Sequence, residues 1–450
     1  MLVRKCTAGW VVIATALCAG AQAQQSPEMR EILDRLARLE AQNRELANEV
    51  QALKAKLALP EAPEDVAATA PLTERVEVAE RRIAELDQTR VASDNRLPIS
   101  LTGMLLFNTF INGHASAGAQ YPLVVPATGR ASGGGGTFRQ SVLGLRLDGP
   151  KVLGGGKVNG AVFMDFFGGG TGLNQTMRLR VAKLDVSWKS TSVGFAFDKP
   201  IIAPREPDSL AQVGISPLTG SGNLWLWQPQ VRVEQRLAVG KNAGVRAQAG
   251  IYQTAEGGAG VSSVYADSLA ASRPGYQARI EVWAQRGGRR FEIAPGLHAS
   301  STRVLGQSVA SRIFSIDWLL RPMSRVEFTG TFFHGRNTGV IGGLRQGVSI
   351  FDTSSGYHAR AVHAMGGWAQ VKIIATQRTT LHMFGGQQDD RNRDLLREGV
   401  AKNQSYGANL MYRWGSNILT SFEASQVRTT YFGAGTRINP HYDLAIAYLF

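Results

Sequence analysis

Seven arginines in this 450-residue chain share one local context. Arg146, Arg232, Arg236, Arg246, Arg279, Arg325 and Arg413 alternate with apolar neighbours, so in extended strands their guanidiniums share the face opposite the apolar side chains. A guanidinium is always charged, and rings of them favour the passage of anions. The same face carries Glu234, Glu281, Glu292 and Glu327, which could instead pair with the arginines and hold a wall together. From residue 97 onward there are 36 Lys and Arg against 20 Asp and Glu, so pairing there cannot be complete.

No catalytic constellation accompanies these charges. The glycine runs at 133–136, 154–156 and 168–172 lack the GK[ST] ending of a phosphate-binding loop and read as turns. His334, His358 and His363 show no metal-binding spacing, so neither a metal nor a cofactor is implied. "DDRNRD" (389–394) reads as a solvated loop, with lipopolysaccharide or a divalent ion as the weaker reading. The segment "KPIIAPREPDSLAQVGISPLTGSGNLWLWQP" (199–229) keeps apolar residues and is stiffened by Pro200, Pro204, Pro207 and Pro217. Folded inward it would narrow a lumen, with Arg205, Glu206 and Asp208 at the constriction; an ordinary outward loop is an equal reading.

The arginines need strands, and the period of two supplies them. "YQARIEVWAQ", "GVRAQAGIY" and "RVEFTGTF" each separate an apolar from a polar face. About sixteen such strands are expected. The first eight lie near 99–111, 138–148, 157–167, 177–188, 192–198, 230–237, 244–252 and 276–285. The rest lie near 290–299, 311–320, 324–334, 359–373, 378–385, 404–414, 417–427 and 438–450. Connections alternate long and short, with Trp188, Trp318, Trp414 and Tyr442 near strand ends. An apolar face without a partner sheet and unequal loops point to a closed all-β transmembrane barrel rather than a soluble sandwich. Arg178 and Arg180 break the pattern, sharing parity with lipid-side Leu184 and Val186; a bulge or a place above the hydrocarbon would reconcile them.

The N-terminal quarter follows other rules. Residues 1–23 read as a signal peptide, with Arg4 and Lys5, an apolar run and a cut after Ala23 that removes both cysteines. Residues 24–59 carry heptads through Ile32, Leu36, Leu39, Asn43, Leu46, Val50 and Leu53, which predict an α-helical coiled coil for oligomerisation. A single amphipathic helix is the blander alternative. Residues 60–96 are a linker with a short helix, and 97–450 form the barrel. An exported chain has little occasion to meet nucleic acid, so the positive excess is not read as a nucleic-acid interface.

The segments "FRQSVLGLRLDGP" (138–150), "GAVFMDFFGG" (160–169), "MRLRVAKLDVSW" (177–188) and "NLWLWQPQVRVE" (223–234), with the stalk before them, resemble DcaP-type trimeric porins of Gram-negative bacteria. More distantly the chain is similar to phosphate-selective porins. The resemblance implies a homotrimer in the cell outer membrane, a periplasmic stalk, an inward third loop and small anionic solutes. "FDKPI" stands where relatives carry a Gly-Gln-Trp type of run, so the substrate is not carried over. Tyr448 and Phe450, at the end of "HYDLAIAYLF", resemble the signal read by the barrel-assembly machinery. Expected surroundings are membrane lipid, lipopolysaccharide and possible contact with peptidoglycan. A structural anchor with a closed lumen is the rival reading.

Overall fold

The computed structural model describes residues 98–450, apart from 114–115, 117–119, 129–131, 170–174, 254–273 and 345–346. The predicted signal peptide, coiled coil and linker lie outside the described residues. Nineteen strands are present among the described residues. The first ten are β1 (Ile99–Asn112), β2 (Gly133–Thr137), β3 (Val142–Val152), β4 (Gly156–Gly168), β5 (Thr176–Ser187), β6 (Thr191–Asp198), β7 (Gln228–Ala238), β8 (Ala243–Tyr252), β9 (Gly275–Arg286) and β10 (Arg289–Val304). The remainder are β11 (Gln307–Met323), β12 (Val326–Arg336), β13 (Val348–Thr353), β14 (Gly356–Ala361), β15 (His363–Ile374), β16 (Thr379–Asp390), β17 (Val400–Arg413), β18 (Ile418–Tyr431) and β19 (Gly435–Leu449).

β13 and β14 pair only with each other, and β2 and β3 share one place beside β1. The wall is therefore sixteen antiparallel strands, and β1 pairing with β19 from Met104↔Leu449 to Asn112↔His441 closes it. Closure leaves no free edge, the condition for crossing hydrocarbon with strands. At the seam the backbones of Gly103 and Phe450 exchange both hydrogen bonds (2.8 and 3.1 Å). A Cβ on Gly103 would sit 2.6 Å from the Phe450 ring, so glycine is what seats that ring. Where β2 gives way to β3, the Ser141 hydroxyl accepts from the Leu106 N–H (2.9 Å) and satisfies it in place of a partner strand.

The packing is inside out relative to a soluble protein. Leu101, Leu105, Phe195, Ile280, Leu297, Phe314, Leu444 and Tyr448 are exposed on the outside, whereas Asn108, Asp165, Arg279, Asp317, Gln370 and Glu423 are buried within. Outward apolar and inward polar residues alternate strand by strand, as a membrane barrel requires.

One end of the barrel carries only short turns, of two to four residues. The other carries long connections at 113–132, 199–227, 253–274 and 337–362, the last with the β13–β14 hairpin. The expected strict alternation fails there: 305–306 and 432–434 are as short as the turns opposite, and 169–175 and 391–399 are of intermediate length. Leu305 and Gly306 both have positive φ (52° and 75°), the geometry of a tight hairpin turn, which lets β10 and β11 rise well past their expected limits. The β13–β14 hairpin leans on this projection through Gln307, which bonds the Tyr357 carbonyl and the Ala359 N–H (2.8 and 3.0 Å). Trp188 and Trp414 stand exposed at the short-turn end, but Trp318 and Tyr442 lie inside β11 and β19 rather than at strand ends.

Candidate functional site

The connection 199–227 folds into the lumen. Ile202, Ala203, Ala211, Leu218 and Leu224 are buried. Ile202 and Leu224 pack with Ile313, Phe333 and Ala364 of the wall, and Leu210 packs with Leu106, Met411, Ala445 and Ala447. Polar bonds fix its backbone on several sides. Gln277 accepts from the Ile201 N–H (2.6 Å), Gln370 from the Asp208 N–H (2.7 Å), and Asn108 donates to the Leu210 carbonyl (2.9 Å). Gln140 grips both the Ala211 carbonyl (2.8 Å) and the Gly214 N–H (2.7 Å). The loop thus touches β1, β9, β15 and the β2–β3 break, and the inward of the two sequence readings is the one observed.

Two ionic anchors hold it. The first explains the arginines that broke parity. Between β4 and β5 the register shifts: Phe163 faces Val181, but the next residue, Met164, faces Leu179, so Arg180 is a bulged extra residue. The bulge turns Arg178 and Arg180 inward, where both meet the fully buried Asp165 (2.9 and 2.8 Å). Their remaining donors reach the loop carbonyls of Gly214 and Val213, the latter at 2.7 Å. Phe167 and Trp227 cover the guanidinium faces. Tyr121 of the first long loop stacks on Phe167, and burial pushes its hydroxyl pKa up despite Arg178 and Arg180 nearby.

The second anchor is a chain of alternating charge. Arg246 meets Glu281 (2.5 Å), Glu281 meets Arg279 (2.7 Å), and Arg279 meets Asp317 (2.7 Å). Asp317 then meets the loop's own Arg205 (2.6 Å), Arg205 meets Glu292 (2.6 Å), and Glu292 meets Arg290 (2.5 Å). Four arginines thus hold three carboxylates.

The expected pore-lining residues do not form one ring. Arg246 and Arg279 join the chain just described, and the Arg279 side chain has no exposed surface to offer a passing ion. Arg232 pairs with Asp198 (3.0 Å), and Arg236, largely exposed, pairs with Glu234 (2.5 Å). Arg146 is exposed in β3 on the inward parity. Arg325 lies in the turn before β12, and Arg413 donates to the Ser416 carbonyl of another short turn (2.9 Å). Among the constriction candidates, Arg205 is drawn into the wall. Glu206 and Asp208 keep exposed surface, beside Lys199 (3.0 Å) and Lys372 (3.4 Å). Asp165, Asp317 and Phe167 were not among the expected site residues; the broken parity at Arg178 and Arg180 was the one sequence signal of Asp165 and Phe167, and Asp317 had none. Buried Glu423 and Asp443 were also missed, and they hold the loop through Ser209 (2.5 Å) and Asn108 (3.0 Å).

No protein-family model and no curated protein matches the chain. Solved structures do. The outer membrane channel DcaP of Acinetobacter baumannii aligns at a TM-score of 0.62 and 15% identity, covering 78% of this chain and 97% of that one. The anion-selective porin from Comamonas acidovorans aligns at 0.52 and 12%, covering 78% and 99%. The shared feature is the fold. At these identities it is the sixteen-stranded barrel that is common to them, and the residues of the site are this chain's own.

Proposed function

We propose that this chain is an outer-membrane porin through which small hydrophilic solutes, anions preferentially, diffuse passively. The observation that carries the reading is the inward loop 199–227, held across a closed sixteen-stranded barrel by side chains of the wall. A loop so held sets the width of an aqueous path without closing the wall itself. Anion preference follows from local surplus: the chain at Arg205 has one more cation than carboxylate, and so does the cluster at Asp165. The description of the Comamonas protein as anion-selective supports the same direction.

The resemblance and the heptads of residues 24–59 support a homotrimer in the outer membrane with its stalk in the periplasm, possible contact with peptidoglycan, and delivery by the barrel-assembly machinery through Tyr448 and Phe450. The rival is a structural anchor with a closed lumen. It draws support from the many sides of the wall that the loop touches. Planar-bilayer recording in a KCl gradient decides. Stepwise conductance with a chloride-directed reversal potential is expected; silence favours the anchor, and a potassium-directed potential removes the anion preference. Deleting residues 26–60 tests assembly, because an unchanged oligomer in detergent would take that role from the heptads.

A further inference from the structure

The arginines of the two anchors find carboxylates; a group on the outside does not. Arg312 of β11 and Arg336 of β12 are directly opposed partners across two strands. Phe314 and Phe332, two and four residues away on the same parity, are exposed, so both arginines project outward. Opposed side chains have Cβ atoms about 4.5–5.5 Å apart, and like charges so placed destabilise a sheet. Arg312 donates through Nη1 to the Ser300 and Ser311 carbonyls (3.1 and 3.0 Å), and among the described residues neither arginine pairs with an acid. The acids nearby in sequence and register are engaged elsewhere, Asp394 by His363 (2.9 Å) and Asp389 by Lys402 (3.3 Å). Exposed Arg303 and His334 lie on the same outward parity of β10 and β12.

Height supplies the second argument. From Phe314 down to Met323 is nine residues, about 30 Å along the strand and about 23 Å across a membrane at a tilt of about 40°. Both residues are exposed and apolar. Arg312 is the next outward residue above Phe314, where the apolar belt gives way to polar surface. Below the pair and extending sideways from β11 and β12 to β17, the outer wall is hollowed into a groove of about 540 Å³ lined by Trp318, Phe332, Met365, Gly367, Gly385 and Tyr406. Phe332 faces Gly367, and His334 faces Met365, so the groove runs into the cationic rim. A cationic head site continuous with an apolar groove fits an amphiphile with a phosphate head and acyl chains.

We propose that Arg312 and Arg336, flanked by Arg303 and His334, bind the phosphate of a phosphorylated glycolipid of the outer leaflet, with an acyl chain in the groove beside them. The proposal rests on the membrane reading above. The test is native mass spectrometry of the detergent-extracted full chain with diphosphorylated lipid A, its dephosphorylated form, and inorganic phosphate as competitor. The expected result is retention of the phosphorylated lipid alone, reduced at least about tenfold in R312Q/R336Q, largely kept in R312K/R336K and unchanged in lumenal R146Q. Equal retention by R312Q/R336Q, or equal retention of the dephosphorylated lipid, overturns the proposal. Displacement by inorganic phosphate as effective as by the lipid overturns the lipid assignment. Flotation with liposomes separates the two failures: a barrel that does not float sinks the membrane reading and this proposal with it. One that floats without arginine-dependent retention sinks this proposal alone.

Discussion

The two anchors of the inward loop solve one problem with opposite placements of charge. At Asp165 every charged group belongs to the wall, and the loop contributes only uncharged ones: the carbonyls of Val213 and Gly214, which receive the leftover donors, and the ring of Trp227. At Asp317 the loop contributes the cation itself, since Arg205 is one link of the alternating chain. The first arrangement concentrates dependence in one buried acid. The second spreads it, because each carboxylate keeps another arginine when Arg205 is lost.

This difference orders the expected effects of mutation. Asp165→Ala leaves two guanidiniums without a counterion and should cost about 3–5 kcal/mol, read as a lower temperature for losing the folded band in SDS gels. It should also raise current noise from a loosened loop; a variant as stable and quiet as wild type would end the idea of a single-acid clamp. Arg205→Gln should cost only about 1–2 kcal/mol, because Arg279 still holds Asp317 and Arg290 still holds Glu292. Its clearer readout is a reversal potential shifted toward cation, since one positive charge leaves the lumen. Gln140→Ala, which removes two bonds to the loop but no charge, should cost about 1 kcal/mol and leave selectivity unchanged. The double variant Asp165→Ala with Arg205→Gln should be additive within about 0.5 kcal/mol; a larger coupling would show that the anchors act as one unit.

All sixteen wall strands were legible, because the contrast between an apolar outside and a polar inside is written into every second residue. Legibility fades where that contrast does. Gly133 to Gly136 carry no side chains to alternate, so β2 and the break at Phe138 to Ser141 left no trace. The upper parts of β10 and β11, "HASSTRV" and "QSVASR", are small and polar on both faces, so the strands run past the limits their pattern set. Inward parity was legible for Arg246 and Arg279, but their partners were not. Asp317 lies 38 residues from Arg279 and 112 from Arg205, and only the closed register brings the three together. The misfit at Arg178 and Arg180 carried more information than any matching strand. A period of two that slips is the mark of a bulge, and here the bulge carries the clamp.

The seam between β1 and β19 has a temporal consequence. Asn108 and Asp443, which bond across it, are 335 residues apart in sequence. Joining ends so distant costs about 5 kcal/mol of chain entropy before any seam contact compensates. Until it forms, both strands offer open rows of amides to any other extended chain. Low-contact-order hairpins can zip in succession from neighbour to neighbour, but the last pairing waits for all the others. The vulnerable species is therefore an almost complete barrel with a slit, and its lifetime, more than the stability of the finished wall, sets the exposure to aggregation.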